Sequence, residues 1–216
     1  MSEPKHRTVI LAGGEMHAVP RITEGDYVIA ADSGYDHAVA RSIHVDLLIG
    51  DLDSISDEGL RHAHTHGVEI EEHDPDKDET DLDLAVKAAV RHGATVIDIY
   101  GAEGGRLDHL LGVALLLSSS TWAPLDITWQ TRSGALKAAT PQRSVVFSTS
   151  HGTSITLLPI GDASGVTTTG LRWQLDNATL ERGTSLGISN TATGESVTVH
   201  VQDGALLVFM EGQNNT

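Results

Sequence analysis

Leu47-Leu48-Ile49-Gly50-Asp51-Leu52-Asp53-Ser54 is the stretch on which the reading of the chain turns. Its apolar half has the continuous, short hydrophobic run of a buried parallel strand, and Gly50 ends it. Asp51 and Asp53 then follow with one residue between them. In extended chain, residues two apart point to the same side, so both carboxylates are expected to face one spot. Two like charges held together repel unless a cation neutralises them, and an all-oxygen pair suits Mg²⁺. Further along, Asp76-Lys77-Asp78-Glu79-Thr80-Asp81 adds carboxylates at an expected helix start. An isolated Asp-x-Asp is more simply an acidic surface loop. The second cluster and the strand-end position favour a metal site.

Working outward, the first half of the chain alternates strand and helix. Strands are expected at Thr8 to Ala12, Tyr27 to Ala31, Leu47 to Gly50, Val68 to Ile70 and Thr95 to Tyr100. Helices are expected at Tyr35 to Ser42, Asp57 to His66 with Gly67 as its stop, Asp81 to His92 capped by Thr80, and Leu110 to Leu117. This alternation predicts an open parallel α/β sheet. In such sheets ligands lie at the carboxyl ends of the strands. Asp32, Asp51, Asp53 and the loop Gly104-Gly105-Arg106 all fall there. Gly13-Gly14 also follows a strand, but without a fuller glycine pattern it is a weak phosphate signal.

After Ser118-Ser119-Ser120-Thr121 the texture changes. Leu125 to Thr131 is one more strand, and Thr131 to Arg143 reads as a linker. From Ser144 onward short strands are separated by glycine turns: Ser144 to Ser148, Ser154 to Leu158, Thr179 to Glu181, Ser196 to Val201 and Ala205 to Met210. The division expected is an α/β domain over residues 1–135, carrying the candidate metal site, and an antiparallel β-sandwich or barrel-like domain over 136–216.

Composition sets the outer bounds. A chain of 216 residues, 39% hydrophobic and 20% charged, is that of a soluble globular protein with room for a core. A net charge of −16 argues against nucleic acid or an anionic membrane as the main partner. The sequence contains no cysteine, which excludes disulfides and zinc–thiolate sites. Apolar runs fall short of the roughly 20 residues that span a bilayer. Met1 to Arg7 is polar and leads straight into a strand, so no signal peptide is expected and the cytoplasm is the expected compartment. His62, His64 and His66 alternate; as a strand they could hold a metal, but a solvated helix-to-strand turn is preferred.

Six motifs stand in order across the chain. They are Ala31-Asp32-Ser33-Gly34, Gly50-Asp51-Leu52-Asp53-Ser54, Asp76-Lys77-Asp78-Glu79-Thr80-Asp81, Gly104-Gly105-Arg106-Leu107-Asp108-His109, Thr168-Thr169-Gly170-Leu171-Arg172-Trp173 and Ser189-Asn190. Each is weak alone. Together they resemble the thiamine pyrophosphokinase family from Val9 to Met210. The resemblance implies transfer of a pyrophosphoryl group from ATP to thiamine, with Mg²⁺, in a homodimer whose sites lie between subunits. It implies that Asp51, Asp53 and Asp81 are Mg²⁺-associated and catalytic. Asp32, Ser33, Lys77, Gly104, Gly105 and Arg106 are expected on the nucleotide side, with Arg106 also catalytic. Asp108 is expected beside the reacting hydroxyl, to accept its proton, orient it or pair with Arg106; orientation is preferred. Trp173, Ser189 and Asn190 are expected on the thiamine side. One departure is the Thr131 to Arg143 segment, which lacks the family's Pro-Gly turn and leaves the domain boundary open.

The residues by themselves leave two roles open. A glycine loop at a strand end favours a phosphate-facing Arg106 over a surface ion pair with Glu103 or Asp108. Without the resemblance Trp173 would be assigned to the core, and Ser189-Asn190 to a turn. Two competing functions are a non-catalytic nucleotide or thiamine binder of the same fold and a related pterin-alcohol pyrophosphokinase. The retained Asp51, Asp53 and Asp81 argue against the first, and Trp173 with Ser189-Asn190 against the second.

Overall fold

The structure, a computed structural model, describes residues 6–212. Most of the N-terminal segment on which the signal-peptide expectation rests lies outside them. The chain forms two compact units: the chain through Val113 with Trp129–Thr131, and Ala114–Thr128 with the chain from Arg132 onward.

The first unit contains β1 (Arg7–Leu11), β2 (Tyr27–Ala31), α1 (Gly34–Ala40), β3 (Leu47–Gly50), α2 (Asp57–His66), β4 (Glu69–Glu72), α3 (Asp81–Arg91), β5 (Val96–Tyr100) and the first part of α4 (Leu107–Leu117). Its five strands pair in the order β5-β1-β2-β3-β4, all parallel. Ile10, Leu11, Ile29, Leu48, Ile49, Ile97 and Ile99 are fully buried in these strands. Covered strands of this kind read as unbroken apolar runs, which is why they were legible. Ser56 caps α2 by accepting from the Gly59 N–H at 2.9 Å, and Thr80 caps α3 by accepting from the Asp83 N–H at 3.1 Å. Gly67, with φ 68°, ends α2 in the left-handed conformation.

The second unit holds the end of α4, a 3₁₀ turn at Ser120–Trp122, part of β6 (Asp126–Thr131), and then strands only. These are β7 (Gly134–Ala139), β8 (Val145–Ser148), β9 (Ser154–Pro159), β10 (Ala163–Thr169), β11 (Ala178–Leu180), β12 (Asn190–Thr191), β13 (Ser196–His200) and β14 (Leu206–Glu211). Two antiparallel sheets, β12-β9-β14-β7 and β11-β10-β13-β8, share one core. Phe147, Val166, Val197 and Val199 from one sheet meet Ile155, Leu157, Leu206 and Val208 from the other. The expected parallel α/β part followed by an antiparallel β sandwich is the architecture observed.

Three expectations need correction. The segment read as a linker contains β7, which pairs along its whole length with β14; Gly-Ala-Leu-Lys-Ala-Ala carries no β-branched residue to signal a strand. Helix α4 begins at Leu107 rather than Leu110, which places Asp108 in its first turn. The three histidines lie inside α2, where His62 and His66 stack at 3.8 Å, so their spacing is helical.

Candidate active site

The acidic site is built by the pairing of β2 with β3. Their register sets Ala31 beside Ile49, and the Asp32 N–H donates to the Ile49 carbonyl at 2.9 Å. Both strands therefore end at one level, and the residues that follow each end become neighbours. Asp32 turns there with φ 49°, a conformation Asp tolerates better than most residues. Its side chain is buried, with the residue only 6% exposed. One oxygen, Oδ2, accepts from the Ser54 hydroxyl; the other, Oδ1, is buried with no hydrogen-bond partner. Ligand atoms of Asp32, Asp51 and Asp53 all lie within 4.8 Å of one another.

Asp51 and Asp53 do not converge through strand alternation as expected. Beyond Gly50 the backbone turns: Leu52 has φ 62°, and the Asp53 N–H donates to Asp51 Oδ1 at 3.2 Å. The two carboxylates are brought round by this turn, whose short side-chain-to-backbone bond is typical of Asp. Gly50 makes room for it. Its φ is 147°, and a Cβ there would lie 3.2 Å from both Asp32 Cβ and Asp81 Oδ1.

Asp81, the first residue of α3, faces the same region from the other side. Lys77 joins it to the cluster, with its ammonium 3.0 Å from Asp51 Oδ2 and 3.1 Å from Asp81 Oδ1. The contact to Asp51 is a hydrogen bond; that to Asp81 is an ion pair. These environments divide the carboxylates. Burial pushes the Asp32 carboxyl up, only partly offset by the Ser54 hydrogen bond, and the charges of Asp81, Asp51 and Asp53 push it further. The Lys77 hydrogen bond holds Asp51 below the usual carboxylate range. Burial works against the charge on Lys77, but Asp51 and Asp81 outweigh it and raise its pKa.

At the end of β5 the glycine loop behaves differently. Gly104 and Gly105 take φ 81° and 65°. Arg106 is not turned to an open phosphate position. It grips Asp108 with two bonds, Nε to Oδ1 at 3.1 Å and Nη2 to Oδ2 at 2.5 Å. This is the surface pair that the glycine context had disfavoured. Both side chains are well exposed. Arg106 holds the Asp108 carboxyl down to about 2.

Two residues without an assigned role help to shape the site. Ser54 bonds Asp32 and lies 3.1 Å from the Ser33 hydroxyl. Ser33 itself sits at the N-cap of α1, where its side chain makes no cap bond. Gly14 packs backbone to backbone on the loop after β5: its N–H donates to the Gly101 carbonyl at 2.6 Å, and a Cβ would lie 2.2 Å from the Glu103 carbonyl. The strand order reverses between β1 and β5, so this contact sits at the topological switch point. Gly13-Gly14 was the available signal; Ser54 stood inside the opening stretch but gave none of its own.

The second unit gathers Trp173, Ser189 and Asn190. Trp173 is 56% exposed, which removes the core assignment that its sequence context favoured. The Arg172 guanidinium lies 4.9 Å from its ring centre. Asn190 is buried and clamps the Trp173 backbone: its Oδ1 accepts from the Trp173 N–H at 3.2 Å and its Nδ2 donates to the Trp173 carbonyl at 2.8 Å. Oδ1 also accepts from the Thr191 N–H at 2.8 Å. The Asn190 carboxamide is thus engaged by backbone. Ser189 adopts φ 58°, with its N–H donating to Thr156 Oγ1 at 3.1 Å. Non-glycine residues held in this region tend to mark functional sites, and Asp32, Leu52 and Ser189 are three of the five in the described chain.

A parallel α/β unit with carboxylates gathered at its strand ends, followed by an antiparallel unit with an exposed tryptophan, defines a two-part α/β-plus-β class of protein. Comparison with known proteins identifies the family. Residues 21–127 match the profile "Thiamin pyrophosphokinase, catalytic domain", and residues 143–206 match "Thiamin pyrophosphokinase, vitamin B1 binding domain". The thiamine pyrophosphokinase of Bacillus subtilis is 28% identical over 205 residues, 93% of this chain and 96% of that protein. Thiamine pyrophosphokinase 3 of rice is 30% identical over 179 residues, 79% of this chain and 67% of that protein. The crystal structure of the Bacillus subtilis protein superposes with a TM-score of 0.84 at 25% identity, covering 96% of this chain and 99% of that one. The chain belongs to the thiamine pyrophosphokinase family.

Proposed function

We propose that the protein transfers the pyrophosphoryl group of ATP to the hydroxyl of thiamine, giving thiamine diphosphate and AMP. The observation that carries this reading is the meeting of Asp32, Asp51 and Asp53 at the strand ends of a chain of this family. The donors are all carboxylates, and the unpartnered, buried Asp32 Oδ1 points to a missing cation. That set fits Mg²⁺. Asp51, Asp53 and Asp81 are assigned to hold it, with Asp32 beside them. When bound, Mg²⁺ supplies neutralisation of charge on the phosphate oxygens.

The chain's own residues provide the rest. The thiamine hydroxyl oxygen bonds to the β-phosphorus while the bond from that phosphorus to the α–β bridging oxygen breaks; AMP leaves with that oxygen, and the hydroxyl proton passes to solvent. Transfer of this type depends on positioning and charge more than on covalent help. Lys77 and Arg106 are assigned to phosphate oxygens, with Ser33, Gly104 and Gly105 lining the nucleotide. Arg106 must leave Asp108 to do so, and the freed Asp108 orients the hydroxyl. Trp173 offers a π face to the cationic thiamine rings. Ser189 precedes Asn190, whose side chain fixes the Trp173 backbone.

The test is purified protein with ATP, Mg²⁺ and thiamine, read for both products. AMP and thiamine diphosphate in equal amounts are expected. ADP with thiamine monophosphate would overturn the reading.

The working unit in this proposal is a cytoplasmic homodimer with sites shared between subunits. Support comes from α4, where Leu107, Leu111 and Leu115 are exposed at helical spacing, an apolar stripe that a second copy could cover. Mixing inactive Asp51→Asn protein with Trp173→Ala protein, assayed at thiamine well below the raised KM of the latter, should give more activity after subunit exchange than the two proteins assayed apart. Failure of verified mixtures would instead put each site within one chain.

A further inference from the structure

We infer that Lys77 is a tethered counter-cation: its ammonium closes the carboxylate cluster in the cation-free protein and is displaced from Asp51 and Asp81 when a divalent cation binds. The inference rests on the assignment of these carboxylates to a cation, and concerns what stands there before one arrives. Three observations support it. Nζ lies within 3.0 Å of Asp51 and 3.1 Å of Asp81, the two carboxylates that approach from different elements, β3 and α3. Lys77 is not itself on α3; it comes from the loop between β4 and the Thr80 cap, so its four-residue separation from Asp81 is not a helical pairing. Its side chain is only 16% exposed and that of Asp51 14%, so water screens the contact less than at a surface pair.

Charge explains the need for such a residue. Asp32, Asp51 and Asp53 bring three carboxylates within 4.8 Å of one another, Asp81 adds a fourth at the Lys77 ammonium, and the buried Asp32 Oδ1 has no hydrogen-bond partner. Without a positive group the strand ends would repel one another. One ammonium offsets only part of that charge, which leaves a strong field for a divalent ion. A cation taken by Asp51 would then face the ammonium across the same carboxylate. Repulsion between the two favours release of the lysine, whose flexible stem and single compact charge suit a group that must move. The released ammonium becomes available to an anionic ligand arriving with the cation.

The inference makes a prediction opposite in sign to that for a simple ligand-supporting residue. Lys77→Gln should bind Mg²⁺ about ten-fold more tightly than the wild type in titration calorimetry with MgCl₂ alone, because a nearby positive charge has gone. Its cation-free melting temperature should fall, and the gap should close at saturating Mg²⁺. Lys77→Arg, which keeps the charge, should stay near the wild type in affinity. Equal or weaker Mg²⁺ binding by Lys77→Gln overturns the inference. If the wild type binds Mg²⁺ and Lys77→Gln gains nothing, only the role of Lys77 fails; if neither binds, the assignment of the carboxylates fails with it. The unaltered protein gives an independent reading. Acylation of Lys77, followed by mass spectrometry, should be slow without cation and faster with saturating Mg²⁺. An unchanged rate would sink the displacement.

Discussion

The two units hold their candidate residues by different means. In the α/β unit, Asp32, Asp51 and Asp53 come together because parallel strands end side by side, and they retain like charges with an unpartnered buried oxygen. In the β unit, Trp173 is presented on the surface by a neutral clamp, with every Asn190 contact satisfied by backbone. One site is electrostatically unfinished and the other is geometrically complete. A site of the first kind can be strengthened by what binds to it. The second is held by neutral hydrogen bonds, and mutations should damage it through shape rather than charge.

The largest expected effect breaks the first arrangement. Asp51→Asn and Asp53→Asn should each lower turnover on the order of 100-fold or more. Their effects on folding should differ. Asp51 pairs with the partly buried Lys77, so its replacement should destabilise the cation-free protein by about 1–3 kcal/mol. Asp53→Asn removes a repelling charge without removing a cationic partner of its own, and should leave the melting temperature unchanged or slightly higher. Near-normal turnover in either variant would remove that residue from the mechanism; equal melting shifts would remove the contrast between them.

The second prediction sharpens the β unit. Trp173→Ala should raise the thiamine KM roughly 10-fold, the scale of one desolvated cation–π contact, with little change in the ATP KM or in stability. Asn190→Ala should show the reverse balance. It leaves the part-buried Trp173 N–H and carbonyl without their side-chain partner, and should destabilise by about 1 kcal/mol. A Trp173→Ala protein that melts far below the wild type would mean that the ring is structural after all.

What was legible in the sequence follows the same division. Strands β2 and β3 and helix α2 were read to the residue, because apolar runs meet an Asp, a Ser cap or a Gly stop at each end. In the β unit, β10 and β12 were missed. Gly165 and three threonines break the apolar pattern of the first, and the second is only two residues long. The site was legible where one segment supplied it and obscure where pairing did. Asp51 and Asp53 stand in one motif, but Asp32 joins them only through the β2–β3 register. The contact of Lys77 with Asp51 and Asp81 is likewise tertiary. The Asn190 clamp joins residues far apart in the chain, and no local pattern announces it.

A third prediction uses pH to separate carboxylates within the acidic cluster. Asp32 is pushed up on folding, so its contribution to stability is fully present below the ordinary carboxylate range and is lost as pH rises through its raised folded value. Asp51 is pulled down, so its contribution is present above that range and is lost as pH falls through its lowered folded value. In cation-free melts, Asp32→Asn should therefore stabilise at neutral pH by about 2–4 °C, and the gain should shrink as the solution is acidified. Asp51→Asn should destabilise at neutral pH, and its loss should shrink on acidification. Saturating Mg²⁺ should remove the advantage of Asp32→Asn, since the cation supplies the missing partner. Matching signs for the two variants at neutral pH would contradict the division of environments.

The smallest effect on folding is expected at Arg106 and Asp108. Their fork is short, yet both groups lie on the surface, where ion pairs are screened and contribute little. Arg106→Ala, Asp108→Asn and the double variant should all melt like the wild type. Catalysis should tell a different story. If Arg106 leaves Asp108 for a phosphate, Arg106→Ala should raise the ATP KM while leaving thiamine binding unchanged. Asp108→Asn would loosen the competing contact, so ATP binding should be equal or slightly tighter even as turnover falls. The double variant should then follow Arg106→Ala in its ATP dependence. If the fork is only a surface pair, the ATP KM stays at the wild-type value in all three variants. A double-mutant cycle on ATP affinity decides between these outcomes, because a pair that must open before the nucleotide is held gives a coupling that a passive pair does not.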